Sequence, residues 1–280
     1  MLQTLRAPVK TGRGDFAIAP AAVPPLPWFP VIMLHRVVEQ APRPNPYNLC
    51  ISQTDLARLI GYLRGNNFDI VTLEDAIEAW QRGEDVSRKA CLTFDDGYED
   101  FYTHAWPVLD RLDCPASVYL ITNLLGQTNR WDAVNGLPEA RLLSEPLVQE
   151  LAHAGFRFGS HSATHPHLSR LTPEQRVREI AASKDSIEAL TQCEARVFVY
   201  PHHDQDETVR REVEAAGFDA ACGGEQRDHV PYLLHRIDLP RFDALSMRFR
   251  LHGWRRRLHG HIVVHTAKQA AKRVLRHGGR

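Results

Sequence analysis

Short apolar runs alternate along this chain with segments in which apolar residues recur every three or four positions. Runs of the first kind predict strands, and the second periodicity predicts amphipathic helices. The predicted strands, in chain order, are FPVIMLH, DIVTL, ACLTF, PASVYLI, FRFGSH, ARVFVY, DAAC and HRIDL. The predicted helices are SQTDLARLIGYLRGN, LEDAIEAWQRG, YTHAWPVLDRL, SEPLVQELAHAG, TPEQRVREIAASKDSIEAL and DETVRREVEAAG. This alternation indicates an α/β fold in which helices wrap parallel strands, either a barrel or a doubly wound sheet.

The composition allows one large domain with a tail at each end. The chain has 280 residues, 43% of them hydrophobic, which is enough for a sizeable core. Near the N-terminus the apolar stretch FAIAPAAVPPLPWFP is broken by five prolines, so it fits neither a signal peptide nor a membrane span. We therefore predict an extended arm over residues 1–27, a domain over 28–253 and a tail over 254–280. The five cysteines lack a CxxC pair, which argues against disulfides and a thiolate zinc site.

The net charge of zero hides a strong asymmetry between the two parts of the chain. After Asp243 there are ten Lys or Arg residues and no acid, which leaves 24 bases against 34 acids in the first 243 residues. The tail segment HIVVHTAKQAAKRVL has the spacing of an amphipathic helix, which would allow peripheral binding to an anionic membrane. Docking of the tail on the acidic body and a disordered solubilising tail remain open as alternatives. No nucleic-acid partner is predicted, and the oligomeric state stays open.

Two adjacent carboxylates, Asp95 and Asp96, follow the predicted strand ACLTF in the sequence TFDDG. Asp-Asp-Gly is also ordinary turn chemistry, so the motif alone does not establish a site. Adjacent residues at a strand exit can point in different directions. One carboxylate could then face a cation while the other exchanges protons.

Several histidines also follow predicted strands, and parallel α/β folds gather functional groups at the carboxyl ends of their strands. His35 ends VIMLH, while His161 and His165 lie four apart in SHSATHPHL. Two imidazoles and one carboxylate form a common metal-binding set with positions left open for water and substrate. A histidine-rich loop that only caps a helix or lies in solvent is the alternative.

The combination of TFDDG with HSATHPHL resembles the polysaccharide deacetylase family, also called the NodB-homology or carbohydrate esterase 4 family. The resemblance extends from about Val31 to about Gly253 and includes segments such as VIMLHRV, DIVTLEDAI and PASVYLIT. It implies a distorted (β/α) barrel of the NodB type. It also implies that Asp96, His161 and His165 hold one divalent metal, usually zinc, and that Asp95 is the general base.

The general acid and the third family motif are less regular in this chain. VIMLH resembles the branch in which the strand carrying the acid histidine is moved to the N-terminus, as in the poly-N-acetylglucosamine deacetylases. His35 is therefore the predicted general acid. The alternative is that His35 is only a hydrogen-bonded histidine at a strand end. Where many members have Arg-x-Pro-Tyr-Gly, this chain has Val-Tyr-Pro-His-His. Pro201 and the backbone N–H of His202 are predicted to contact the substrate, the latter as oxyanion donor. The family arginine that orients the base is therefore missing. Arg236 either replaces that arginine or forms a salt bridge at the sheet edge.

The predicted function is hydrolysis of N-acetyl groups on an amino-sugar polymer or a lipid-linked glycan. An O-acetyl esterase, a deformylase and an inactive glycan-binding module are the alternatives, and the paired aspartates and histidines argue against the last of these. Trp131 is predicted either to form a sugar-stacking wall or to plug the edge of the core. The family resemblance implies a location outside the cytoplasm. The scattered cysteines and the lack of a signal sequence predict a cytoplasmic location instead, with the membrane face left open.

Overall fold

The computed structural model describes residues 25–42, 45–135, 138–224, 229–239, 247–248 and 251. The strands are β1 (Val31–Leu34), β2 (Arg36–Val38), β3 (Cys50–Ser52), β4 (Asp69–Ile70), β5 (Lys89–Phe94), β6 (Ser117–Leu120), β7 (Arg157–Ser160), β8 (Val197–Val199), β9 (Ala220–Cys222) and β10 (Ile237–Asp238). The α-helices are α1 (Gln53–Gly65), α2 (Leu73–Gln81), α3 (Trp106–Arg111), α4 (Glu145–His153), α5 (Pro173–Thr191) and α6 (Glu207–Ala215). All the predicted strands and helices are therefore found.

Eight of these strands form one parallel sheet in the order β10-β1-β5-β6-β7-β8-β9, with β4 paired to the start of β5. The segment before β10 reaches both edges of this sheet. Leu234 pairs with Cys222 of β9, and three residues later Ile237 pairs with Ile32 of β1. Because one short segment bridges both edges, the sheet curls into a barrel-like shape. This confirms the predicted distorted (β/α) barrel and excludes the open, doubly wound sheet.

Strand side chains alternate between two hydrophobic layers. Ile32, Leu92 and Phe94 belong to the layer that includes buried residues of the outer helices. Val31 and Cys91 belong to the inner layer, which includes the buried face of α2. Side chains change face at every residue of a strand. His35 therefore lies on the same face as Val31 of β1, and Asp95 lies on the same face as Cys91 of β5. The alternation thus directs two of the predicted catalytic side chains toward the inside of the barrel.

Side-chain caps fix the N-terminal ends of four helices, and a glycine follows the end of α2. The side chains of Ser52, Thr72, Thr172 and Asp206 each accept a hydrogen bond from a backbone N–H of the first turn of α1, α2, α5 and α6, respectively. Gly83 follows α2 with a φ of 82°, a conformation that glycine adopts without steric cost. These local signals account for how closely the helix ends follow the sequence pattern.

Two features of the fold were not predicted. β2 and β3 form a separate two-stranded parallel sheet. The segments Arg36–Val38 and Cys50–Ser52 are short and show no clear alternation of apolar and polar residues that would predict strands. The predicted helix YTHAWPVLDRL is divided into a π-helical turn at Phe101–Ala105 and α3. Pro107 lacks the N–H that a continuous α-helix would use here, which favours the change of hydrogen bonding.

The described helices include none that is both long enough and apolar enough to span a membrane. Residues 1–24 and 252–280 lie outside the described residues, so the predicted arm and the basic tail remain predictions. The domain boundaries at 27/28 and 253/254 remain predictions as well.

Candidate active site

Asp95 and Asp96 diverge because their backbone conformations differ. Asp95 still belongs to the ladder, with its N–H donating to the carbonyl of Leu34 over 2.9 Å. Asp96 adopts a φ of 67°, in the left-handed region that turns the chain away from the strand direction. Both side chains are buried. The turn geometry and the functional interpretation of TFDDG are therefore compatible, since the turn itself separates the two carboxylates.

Asp95 forms a buried ion pair with Arg236. Arg236 Nη1 donates to Asp95 Oδ1 over 2.7 Å, and Arg236 Nε donates to the carbonyl of Gly223 over 2.8 Å. Burial by itself would raise the pKa of the Asp95 carboxyl, but the guanidinium and the neighbouring His161 lower that pKa further than burial raises it. Asp95 is thus held ionised and oriented. Both predictions for Arg236 are compatible with this geometry, because the residue forms a salt bridge in the segment that reaches both sheet edges, and its partner is Asp95, the predicted base.

His35 lies beside the other oxygen of Asp95. The distance from His35 Nε2 to Asp95 Oδ2 is 4.0 Å, and 19% of the His35 side chain is exposed. The imidazole therefore lies between a buried carboxylate and the open cavity, which suits a group that exchanges protons with a bound substrate.

Asp96, His161 and His165 form a compact buried cluster. Asp96 Oδ1 lies 3.3 Å from His161 Nε2 and 3.6 Å from His165 Nε2, and the two Nε2 atoms are 3.2 Å apart. The Nδ1 atom of His161 lies 2.8 Å from the carbonyl oxygen of Val199. A proton on that nitrogen leaves Nε2 as an acceptor directed at the cluster, as in many metal-binding histidines.

The donor set of this cluster fits a divalent cation. Within the described part of the chain, Asp96 Oδ1 is buried and has no hydrogen-bond donor. Burial and the neighbouring His161 lower the pKa of His165 to about 3, so its imidazole is neutral at physiological pH, the form that binds metals. The ligand atoms of the three residues lie within 4.8 Å of one another. A cation would satisfy Asp96 Oδ1, the buried acceptor of this cluster that has no hydrogen-bond partner among the described residues.

The third motif forms a short 3₁₀ turn, Pro201–His203, directly after β8. His202 and His203 both have positive φ values, 55° and 57°. Glycine is expected at such positions, and histidine is among the residues that tolerate them best. His202 Nε2 lies 3.3 Å from the carbonyl oxygen of His165, and its ring stacks on that of His167 with 4.1 Å between centroids. The turn therefore packs directly on the loop that carries the metal-ligand candidates.

A cavity of about 200 Å³ lies over these groups. It is lined by His35, Tyr47, Leu49, Asp95, Asp96, Trp131, Asp132, His161, His165, Tyr200, His202 and His203. The position of Trp131 is compatible with both predicted roles, because its ring lies 5.2 Å from that of His165 and also packs against a hydrophobic cluster containing Leu49. A larger cavity of about 580 Å³ is lined by residues such as Phe68, Trp106 and Phe156, with none of the predicted site residues among them. We place the site in the smaller cavity because the titratable groups converge there.

Tyr47 and His203 also line the cavity, although neither is among the site residues predicted from the sequence. Tyr47 lies between the unpredicted strands β2 and β3, so no periodicity marks its position. His203 is the second histidine of Val-Tyr-Pro-His-His, directly after β8, at the position where many members of the family have glycine. The rule that functional groups gather at the carboxyl ends of parallel strands could have identified His203. No local sequence pattern could have identified Tyr47.

Comparison with known proteins agrees with this geometry. A family model described as polysaccharide deacetylase matches residues 82–221. The YxkH protein of Bacillus subtilis (strain 168), provisionally named as a polysaccharide deacetylase, is 26% identical over 213 residues, which cover 74% of this chain and 70% of that protein. A poly-beta-1,6-N-acetyl-D-glucosamine N-deacetylase of Staphylococcus epidermidis is 28% identical over 116 residues, covering 41% of this chain and 38% of that protein.

Solved structures share the fold. The Streptococcus pyogenes deacetylase PplD in complex with acetate has a TM-score of 0.68 and 20% identity, with coverage of 81% of this chain and 99% of that chain. IcaB from Ammonifex degensii has a TM-score of 0.62 and 21% identity, with coverage of 75% and 91%. At these identities the likeness establishes the architecture alone.

Proposed function

Because the chain belongs to the polysaccharide deacetylase family, we propose that it hydrolyses the N-acetyl groups of an amino-sugar polysaccharide or lipid-linked glycan, with the aid of a divalent cation such as zinc. The observation that carries this proposal is the division of labour between adjacent carboxylates. Asp96 faces His161 and His165, whereas Asp95 is paired with Arg236 and faces His35. A site with only a binding role has no use for an ionised base beside a metal-ligand cluster.

Asp96, His161 and His165 are the residues that would hold the cation. A divalent cation supplies a Lewis acid that polarises the acetyl carbonyl and lowers the pKa of a water molecule. The hydrogen bond between His161 and the carbonyl of Val199 fixes the ring so that Nε2 is available as a ligand. The neutral state of His165 serves the same purpose.

Asp95 acts as the general base. Its Oδ1 is engaged by Arg236, so Oδ2 is the oxygen that accepts a proton from the attacking water. The ion pair keeps the carboxylate charged despite its burial, and it prevents rotation of the side chain. His35, on the side of Oδ2, donates a proton to the departing amine nitrogen, which must be protonated to leave.

The Pro201–His203 turn supplies the remaining interaction. Pro201 fixes φ at the start of the turn, and the backbone N–H of His202 donates to the acetyl oxygen as negative charge develops there. A main-chain donor does not depend on the side chain, which explains how the motif can differ from Tyr-Gly and still work.

The substrate class rests on relatives. One relative is a poly-beta-1,6-N-acetyl-D-glucosamine N-deacetylase, although this chain covers only 38% of its length. The proposal is tested by incubating the purified full chain with N-acetylglucosamine oligomers and measuring released acetate together with new free amines. Equal amounts of both products, lost with a chelator and restored by zinc, are expected. Release of acetate from O-acetylated xylose oligomers but not from these amides would favour the esterase alternative instead.

A further inference from the structure

An exposed aromatic residue stands at the rim of the active-site cavity. Among the described residues, Tyr47, Val177 and Val230 are the large hydrophobic side chains that are exposed, and Tyr47 is the most exposed at 66%. Tyr47 also lines the cavity that contains Asp95 and Asp96. A single exposed hydrophobic side chain is ordinary. Tyr47 differs from an ordinary exposed residue because it lies beside the catalytic groups.

The backbone on both sides of Tyr47 is anchored by specific hydrogen bonds. The side chain of Asn45 donates to the carbonyl of Cys50 over 2.8 Å and accepts from the Cys50 N–H over 3.1 Å. The side chain of Asn48 donates to Asp238 of β10 over 3.0 Å. Arg36 donates its N–H to the carbonyl of Leu49 over 3.0 Å. The loop is therefore fixed to the closing segment of the barrel as well as to β2 and β3.

Tyr47 has an unfavourable backbone conformation for an aromatic residue. Its φ is 55°, and Asn48 has the same value. Asparagine tolerates this region, but a bulky residue does so at a cost and only where the surrounding structure imposes it. The side chain gains little from burial in this position because it is mostly exposed. Such a cost without compensating packing is typical of a residue whose contact is made with a ligand.

The cavity has a second aromatic wall. Trp131 lies in the turn Arg130–Asn135, and its ring is 5.2 Å from that of the metal-ligand candidate His165. Sugar rings present apolar C–H faces and polar edges, so they stack on exposed aromatic rings. The catalytic groups lie in the same cavity as both aromatic side chains.

We propose that Tyr47 forms a stacking subsite for the sugar residue next to the one that is deacetylated. This inference rests on the function proposed above. Trp131, close to His165, then contacts the sugar whose acetyl group reacts, and Tyr47 at the rim contacts its neighbour in the chain. The hydrogen bonds of Asn45 and Asn48 fix the backbone on either side of the tyrosine, which lowers the cost of ordering this segment on binding.

The test compares Tyr47→Ala, Tyr47→Phe and Val177→Ala with the unchanged chain. Val177 is a matched control, because it is 54% exposed but lies on α5, outside the cavity lining. Alanine at position 47 has the same backbone restriction as tyrosine, so the loop conformation is not relieved by the substitution. The values of kcat and KM are measured for an N-acetylglucosamine tetramer and for the small ester 4-nitrophenyl acetate, and thermal melting monitors the fold.

Tyr47→Ala is expected to lower the ratio of kcat/KM for the tetramer to kcat/KM for the ester by about tenfold, mainly through KM, because stacking contributes uniform binding. Tyr47→Phe keeps the aromatic ring and should give the same ratio as the unchanged chain. Val177→Ala should also leave the ratio unchanged. An unchanged ratio in Tyr47→Ala, or equal losses for both substrates, would overturn the subsite. If the unchanged chain fails to deacetylate the tetramer at all, the proposed function itself is wrong, which is a separate outcome.

Discussion

Arg236 Nη1 lies 2.7 Å from Asp95 Oδ1, and both side chains are almost completely excluded from solvent. The two residues are 141 positions apart in the chain. They meet because the segment that carries Arg236 closes the barrel between β9 and β1. Asp95 therefore receives its partner from the closing segment rather than from the third motif, where many members of the family have an arginine.

The ion pair predicts a shift in the pH dependence of activity. Since Arg236 lowers the pKa of Asp95, and Asp95 must be ionised to act as a base, a weaker partner should raise that pKa. Arg236→Lys should move the acid limb of the kcat/KM profile to higher pH and lower the plateau by about 10- to 100-fold. A pH profile of acetate release measures both effects. Loss of activity with an unmoved acid limb would mean that Arg236 supports the fold without tuning Asp95.

The histidine cluster predicts stoichiometric metal binding. His161→Ala removes a ligand whose Nε2 lies 3.3 Å from Asp96 Oδ1, so metal content should fall from about one per chain to near zero. His153→Ala is the matched control, because His153 is an exposed histidine on α4. Elemental analysis after dialysis checks this. Equal metal content in the two variants would refute the ligand assignment.

The location of His35 predicts a dependence on the leaving group. If His35 protonates the departing amine, His35→Ala should keep metal and substrate binding but slow amide hydrolysis by about 10²- to 10⁴-fold. An activated ester such as 4-nitrophenyl acetate needs no such proton, so its hydrolysis should suffer far less. Comparison of kcat for the two substrates gives the answer, and equal slowing would indicate a positioning role.

Much of the fold could be predicted because local signals agree with the global structure. The apolar runs predict the main strands, and the rule on strand ends brings His35, Asp95 and His161 to one face before any contact is known. The turn after β5 could also be predicted, because the Asp-Asp-Gly sequence that forms it is a local signal. These features depend on residues close together in the chain.

The remaining features depend on contacts between distant segments. The pairing of β2 with β3 adds only three residues on each side and follows no clear alternation. Arg236 could be proposed from the sequence as a replacement for the arginine that orients the base, but its contact with Asp95 depends on barrel closure. The anchoring of the Tyr47 loop by Asp238 is of the same kind, because 190 residues separate Asn48 from its partner.

The burial of Glu74 predicts that the stability of the folded protein depends on pH. Its carboxyl is buried and accepts hydrogen bonds from Ser117 and Tyr119, and burial raises its pKa in the folded protein above the unfolded value. The folded state therefore binds the proton more tightly, and stability falls as pH rises from the unfolded pKa through the folded pKa. Glu74→Gln should raise the melting temperature more at pH 8 than at pH 5. Thermal melting of both chains at the two pH values checks this, and an equal change would contradict the raised pKa.

Asp95→Asn and Asp96→Asn, compared in one experiment, separate the roles of the adjacent carboxylates. For each purified variant, bound zinc and deacetylation of N-acetylglucosamine oligomers are measured side by side with the unchanged chain. Asp95→Asn should keep about one zinc ion per chain and lose about 10²- to 10⁴-fold in turnover, whereas Asp96→Asn should lose both zinc and activity. Near-normal turnover in Asp95→Asn, or full zinc content in Asp96→Asn, would contradict the assignment of base and ligand.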